Sequence, residues 1–222
     1  MIEIAIDGPA ASGKGALGKK LSDKYNFPYL DTGILYRKVA YELIKNNIKN
    51  SENLEILCCN FAKNLNLKEF KNKNLRTEDV AKLASKIATF PNLRKILNNK
   101  QREFSNFNKK QFGGCILDGR DIGTTILPNA DFKFFITASI EVRAKRRLLQ
   151  KNISFLHEND EKCMLQTLIN DMKERDKLDS NRKTSPLVPA KDAHVIDTTI
   201  INSQELLLIV TNIIEGKNEL LK

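Results

Sequence analysis

The chain holds no tryptophan and, in 222 residues, only two histidines, three methionines and four cysteines. Each shortage closes off a class of chemistry. His157 and His194 have no catalytic company in the sequence, which offers no Ser–His–Asp set. Cys58, Cys59, Cys115 and Cys163 show neither CxxC spacing nor a nearby histidine pair, which argues against a metal site. Adjacent Cys58 and Cys59 suit no ordinary disulfide, so reduced thiols in a cytosolic protein are expected. No apolar run approaches the roughly 20 residues of a membrane span. The opening MIEIAIDGPA lacks a basic stretch followed by an apolar one, so no secretory signal is expected and the location is read as cytoplasmic, without a membrane partner. Aromatics are 7% of the chain and form no stacking motif, and no nucleic-acid partner is expected.

What is present suits a globular enzyme. Hydrophobic residues make up 41% and charged residues 29%, and the length fits one α/β domain over residues 1–222 with a small insert and a lid. The net charge is +10. Attraction for polyanions is one reading. A chain-wide bias toward Lys and Asn, visible in KNNIKNSEN and KNKNLR, is the other.

Hydrophobic period predicts a strand at 2–6, a helix at 14–25, a strand at 28–30, and helices at 33–47, 52–64, 78–88 and 91–107. Residues 64–77 read as a loop or small insert. CILD at 115–118 and DFKFFIT at 131–137 read as strands, followed by a basic helix. Residues 159–177 are helical in pattern, HVID at 194–197 is a last strand, and a helix from 204 to about 218 closes the chain. Alternating strands and helices imply a doubly wound parallel sheet with helices on both faces. Ligands on such sheets sit beyond the carboxyl ends of the strands. Asp7, Asp31, Asp118 and Asp197 all fall at or just past such ends.

Residues 8–15, Gly8, Pro9, Ala10, Ala11, Ser12, Gly13, Lys14 and Gly15, follow the first strand and open the first helix. The spacing is that of a phosphate-binding P-loop. Glycines let the backbone curl so that N–H groups face phosphate oxygens, and the helix adds its positive end. Lys14 supplies a compact charge for β- and γ-phosphates. Gly15 stands where a hydroxyl would hold Mg²⁺ directly. The metal is therefore expected to rely on nucleotide oxygens, water and Asp118, with no direct protein ligand.

Five blocks give the chain a wider resemblance: IAIDGPAASGKG (4–15), YLDTGILYR (29–37), FPNLRKIL (90–97), ILDGRDIGTTILPNADFKFFITAS (116–139) and ERDKLDSNRKTSPLVPAKDAHVIDTT (174–199). With these blocks the sequence resembles the bacterial cytidylate kinases, a family of P-loop nucleoside monophosphate kinases. The resemblance implies a monophosphate-binding insert at about 35–100 and a lid at about 155–186. It also implies residue roles. Arg37 and Arg120 would hold the acceptor phosphate, suited to it by their planar forks. Asp121 would accept from the cytosine amino group, Thr32 would touch the base edge, and Ser85 and Arg94 would complete the pyrimidine pocket. Arg175 and Asp179 would lie near the ribose, with Arg182 reaching phosphate or base. Lys14, Arg120, Arg182 and Asp118 would form the catalytic set. Some of Arg143, Arg146 and Arg147 would face the ATP phosphates, Arg146 being counted with the ATP site.

The implied reaction is transfer of the γ-phosphoryl group of ATP, with Mg²⁺, to CMP and dCMP, within pyrimidine nucleotide metabolism, by a monomeric enzyme. Such transfer needs positioning and charge neutralisation more than covalent chemistry. The alternatives are a UMP or AMP acceptor, or a basic nucleotide-responsive RNA-binding module. Two departures from the family stand out: the stretch between 48 and 75 is short and shows no strand pattern, and Ala16 replaces the usual Thr or Ser beside the loop.

Overall fold

The computed structural model describes residues 1–48, 52–66, 73–151, 153, 157–182 and 184–216. Five strands form one sheet in the order β2-β3-β1-β4-β5. They are β1 (Ile2–Asp7), β2 (Tyr29–Asp31), β3 (Gly114–Gly119), β4 (Phe132–Thr137) and β5 (His194–Asp197). β1 pairs in parallel with β3 and with β4, and β4 in parallel with β5. From β1 in the middle the chain runs to the edge strand β2, returns to β3 between them, then crosses to β4 and on to β5 at the other edge, so the fold is the expected doubly wound α/β type.

The eight helices among the described residues are α1 (Lys14–Tyr25), α2 (Gly33–Lys45), α3 (Leu54–Lys63), α4 (Glu78–Ile87), α5 (Pro91–Phe112), α6 (Ile140–Gln150), α7 (Glu158–Ser180) and α8 (Ser203–Ile214). By internal contacts the chain divides into two units, one made of residues 1–29 with the chain from Asn108 onward, the other of Leu30–Phe107.

In the first unit the alternation of β1 sends Ile4 and Ile6 to one face. There they join Ile116, Phe134, Ile136 and Ile196 and pack against Leu17 and Leu21 of α1 and Leu206 and Val210 of α8. At about 25 cal/mol per Å², this buried apolar layer is the main stabilising term of the unit. Helix starts follow their caps. Ser139 accepts from the Val142 N–H at 3.3 Å at the head of α6. Asn202 and Glu205 close a capping box on α8. A second apolar cluster joins Ala144 and Leu148 of α6 to Leu168 and Met172 of α7.

The second unit is helical apart from its end of β2. Leu35, Val39 and Leu43 on α2 are fully buried and repeat at helical spacing. α2 packs on α3, on α4 and on a 3₁₀ turn, Lys73–Arg76. Among its described residues the stretch from 48 to 75 carries no strand of the sheet.

Several boundaries differ from the sequence-based expectation. α5 continues five residues past the expected 107, and β3 begins at Gly114, one residue before the expected 115. α7 continues to Ser180 through polar residues that the apolar pattern underweights. α2 ends at Lys45 rather than 47. The expected end of the last helix at 218 and part of the expected 64–77 loop lie outside the described residues. No described helix is long and apolar enough to cross a membrane.

Gly18 shows how tightly α1 is seated. A Cβ there would lie 2.4 Å from Tyr29 Cε2 and 2.9 Å from Cδ2. Gly18→Ala is expected to destabilise the protein by about 1–2 kcal/mol, overpacking outweighing the ~1 kcal/mol that Ala returns in helix propensity. Urea unfolding checks this: the midpoint falls, and a Gly18→Ala/Tyr29→Leu double variant recovers part of the loss.

Candidate active site

The loop between β1 and α1 begins with a close approach. Gly8 has φ 148°, and a Cβ on it would lie 2.0 Å from the backbone oxygen of Ile136. No side chain fits there, so the loop lies flat across the end of β4. Ala11 (φ 59°) and Gly13 (φ 101°) adopt left-handed backbone and turn the chain into α1.

Two arginines of α6 hold the outer rim of this loop. Arg143 is buried; its Nε donates to the Ala138 carbonyl at 3.0 Å, one Nη to the Ala10 carbonyl at 3.4 Å, and the other to Asp176 on α7 at 2.6 Å. Arg146 donates to the Ser12 carbonyl at 3.4 Å and to the hydroxyl and carbonyl of Thr198 at 2.8 and 2.6 Å. The Thr198 hydroxyl itself donates to the Ser12 carbonyl at 2.9 Å. Burial lowers the Arg146 guanidinium from its ordinary value. Because a peptide's N–H points opposite to its C=O, turning the Ala10 and Ser12 carbonyls toward cations and a hydroxyl turns the following amides the other way. The result is a cradle of amides at a helix N-terminus, the arrangement that attracts anionic oxygens. Lys14 opens α1 at this point, and Pro9 lies within the loop. Ala16, in the first turn, is exposed. Arg147 donates to the Gln150 side-chain oxygen at 3.4 Å on the surface.

Asp118 lies near the end of β3 on the same face as Ile6, its register partner. It is 3% exposed. The Tyr29 hydroxyl donates to its Oδ2 at 2.9 Å. A Cβ on Gly15 would lie 3.3 Å from that same oxygen and 3.5 Å from the Tyr29 hydroxyl. The carboxylate therefore sits directly beside the loop. No group of three His, Cys, Asp or Glu side chains able to hold a metal occurs among the described residues. One carboxylate beside an amide cradle fits an ion carried in by a polyphosphate, not an ion enclosed by protein ligands.

Beyond β3 the chain forms a π-helical turn, Ile122–Ile126. Asp7, on the opposite face of β1 from Ile6, accepts from the Ile122 and Gly123 N–H groups at 2.8 Å each. Just ahead, Asp121 is buried and Arg120 is half-buried. Arg120 Nε donates to Asp179 Oδ2 at 2.9 Å, and Arg182 donates to Asp179 Oδ1. Burial by itself would raise the Asp179 carboxyl. The opposed charges of Arg120, Arg182 and Arg175 outweigh it and hold the carboxyl below the usual range. The first unit thus joins four of the expected residues, Arg120, Arg175, Asp179 and Arg182, in one ionic group.

The remaining expected residues belong to the second unit. Thr32 is buried at the head of α2. Arg37 donates to the Leu75 carbonyl at 3.1 Å. Arg94, 4% exposed, donates to the Ala88 carbonyl at 3.2 Å and lies 5.9 Å from the centre of the Tyr36 ring. Ser85 is half-buried on α4.

Residues 4–216 match the family described as cytidylate kinase. The chain belongs to the cytidylate kinase family. It is 40% identical over 212 residues to a cytidylate kinase of Bartonella tribocorum, covering 96% of this chain and 94% of that one. It is 41% identical over 219 residues to a cytidylate kinase of Methylocella silvestris, covering 99% and 96%. An uncharacterized protein from Eubacterium ventriosum shares the fold, with a TM-score of 0.52 and 17% identity over 97% of this chain and 99% of that one.

Sequence reading of this cytidylate kinase family member passed over Tyr29, Asp176 and Thr198 as site residues. The pair Gly15 and Gly18, three residues apart on α1, was the available signal for Tyr29, since it leaves a groove that a ring can fill. Nothing local marked Asp176 or Thr198, whose partners lie 33 and 52 residues away.

The ionic group around Asp179 makes a stability prediction. A carboxyl held below its ordinary 3.8 contributes stability that is present above that value and lost as pH falls through the folded value. Asp179→Asn is expected to lower unfolding free energy by about 3 kcal/mol at pH 7, since two arginines lose their buried partner. Denaturation from pH 7 into acid should show the gap between the two proteins closing only below about pH 4.

Proposed function

We propose that the protein transfers the γ-phosphoryl group of ATP to CMP, and to dCMP, giving the diphosphate and ADP. The match to cytidylate kinases across residues 4–216 carries this reading. The amide cradle from Gly8 to Gly15, with Lys14 and Ala16 at the start of α1, would take the ATP phosphates. Arg146 would serve the ATP site indirectly, by fixing the Ser12 carbonyl. Mg²⁺ bound with ATP would neutralise phosphate charge. Asp118 would orient water on it, because Gly15 supplies no hydroxyl.

On the acceptor side, Arg37 and Arg120 would hold the CMP phosphate. Thr32, Ser85, Arg94 and Asp121 would read the base. Arg175, Asp179 and Arg182 would serve the ribose and the transferring group, with Arg182 and Lys14 offsetting charge as the phosphoryl moves. The acceptor oxygen is already ionised near neutral pH, so no strong general base is needed. Residues at about 35–100 would form the monophosphate-binding insert and those at about 155–186 the lid.

ADP formation with CMP, dCMP, UMP and AMP tests the reading: CMP and dCMP are expected to exceed UMP and AMP by at least tenfold in kcat/KM. Equal use of AMP would move the protein to another acceptor class.

Asp121 makes a sharper prediction. Its carboxylate can accept from the cytosine amino group, which uracil lacks. Asp121→Ala should reduce the CMP-to-UMP ratio of kcat/KM by about tenfold, the worth of one charge-assisted hydrogen bond. Equal losses on both acceptors would assign Asp121 a structural role instead.

A further inference from the structure

Asp7 precedes the phosphate loop by one residue, yet its side chain faces away from it. The register Ile6 with Asp118 and Asp7 with Gly119 puts Asp7 and Asp118 on opposite faces of the sheet. Asp7 is 4% exposed, and its two carboxylate oxygens accept separately from Ile122 N–H and Gly123 N–H at 2.8 Å. These amides begin the π-helical turn, and later amides return to its start: Thr125 and Ile126 N–H donate to the Asp121 carbonyl and, just past the turn, Leu127 N–H to the Ile122 carbonyl. The first two amides of the turn are thus satisfied by a side chain 115 and 116 residues earlier in sequence.

We propose that Asp7 is a positioning residue for the acceptor, clamping the backbone of Ile122 and Gly123 and thereby fixing where the preceding Arg120 and Asp121 present their side chains. The proposal rests on the acceptor roles given above to Arg120 and Asp121. Asp7 itself touches no substrate; it acts through the turn.

The clamp is strongest with an ionised carboxylate, because protonation makes one oxygen a hydroxyl donor and a weak acceptor. Burial opposes ionisation and pushes the Asp7 carboxyl up to about 7, the Gly123 and Ile122 N–H groups resisting the shift. Charges of both signs act on it. Asp121 raises the carboxyl further and Arg120 lowers it. From β4, Lys133 runs alongside Gly123, but its ammonium is turned to the Pro128 carbonyl and to both oxygens of Asp192. Asp118 faces the other side of the sheet. The clamp is therefore set near neutral pH, engaging as pH rises.

The sign for stability is opposite to that for binding. A carboxyl raised from 3.8 to about 7 keeps a proton in the folded protein that the unfolded chain has lost, so wild-type stability falls as pH rises across that window. Asp7→Asn cannot titrate and escapes this fall.

The test pairs Asp7→Asn with wild type between pH 5.5 and 8.5. At pH 8.5 the variant should show KM for CMP raised about tenfold with kcat and KM for ATP changed less than twofold, and the KM ratio should shrink toward one by pH 5.5. The titration of CMP itself is common to both proteins and cancels in the ratio. Over the same range the melting temperature of Asp7→Asn should rise relative to wild type with increasing pH. Carbon-13 NMR of the wild-type carboxyls, with the amide protons of Ile122 and Gly123 as reporters, gives a reading that needs neither activity nor a folded variant. An Asp7 carboxyl and both amides titrating together near pH 7 support the clamp. Amides that do not move between pH 5.5 and 8.5, or a KM ratio and melting difference independent of pH, overturn it. A wild type inactive on CMP but with titrating amides would retain the clamp and reject the acceptor reading.

Discussion

The contact on which the site depends is between two stretches of backbone, Gly8 against Ile136, closer than any side chain permits. It presses the phosphate loop onto the end of the neighbouring strand, so its amides inherit the rigidity of the sheet. Everything else on the loop secures that placement. Arg143 reaches from α6 to the Ala10 carbonyl, the Ala138 carbonyl and Asp176, tying loop, strand end and α7 into one fixture. Arg146 and Thr198 do the same for Ser12. Preorganised dipoles of this kind stabilise developing charge without having to reorient during the reaction.

Cations expected near the nucleotide thus divide by task. Lys14 opens the helix at the cradle itself. Arg143 is spent on backbone carbonyls and a carboxylate, and Arg147 on a surface glutamine. Arg is suited to the structural task, because its fork of five donors can satisfy several carbonyls at once without losing its charge. The basic face of α6 thus braces the backbone of the loop.

Elements governed by local rules were legible in the sequence. α1 runs from Lys14 to Tyr25 and β5 from His194 to Asp197, as periodicity and the flanking glycines and acids predict. The order of strands and helices, and with it the doubly wound sheet, followed from alternation alone. Legibility failed where tertiary partners decide. α5 and α7 extend through polar turns where the apolar period fades. The π-helical turn after Asp121 leaves two amides to a carboxylate from another strand, and no local pattern announces that. At the site, the loop and Asp118 were readable from motif and strand end. Tyr29, Asp176 and Thr198 were not, because what singles them out is distance in space rather than spacing in sequence.

The crowding around Gly15 ties the loop to groups outside it. Any side chain at this position must share space with the Asp118 carboxylate and the Tyr29 hydroxyl, which lie 3.3 and 3.5 Å from where its Cβ would stand. Tyr29 in turn lies over Gly18. Positions 15, 18 and 29 are therefore coupled in space: a side chain at 15 asks the Asp118 carboxylate to give by a few tenths of an ångström, while the Tyr29 hydroxyl stands in ordinary contact. A change at Gly15 is therefore felt first by the Asp118 carboxylate and then by Tyr29, whose hydroxyl donates to the same oxygen and whose ring fills the space above Gly18.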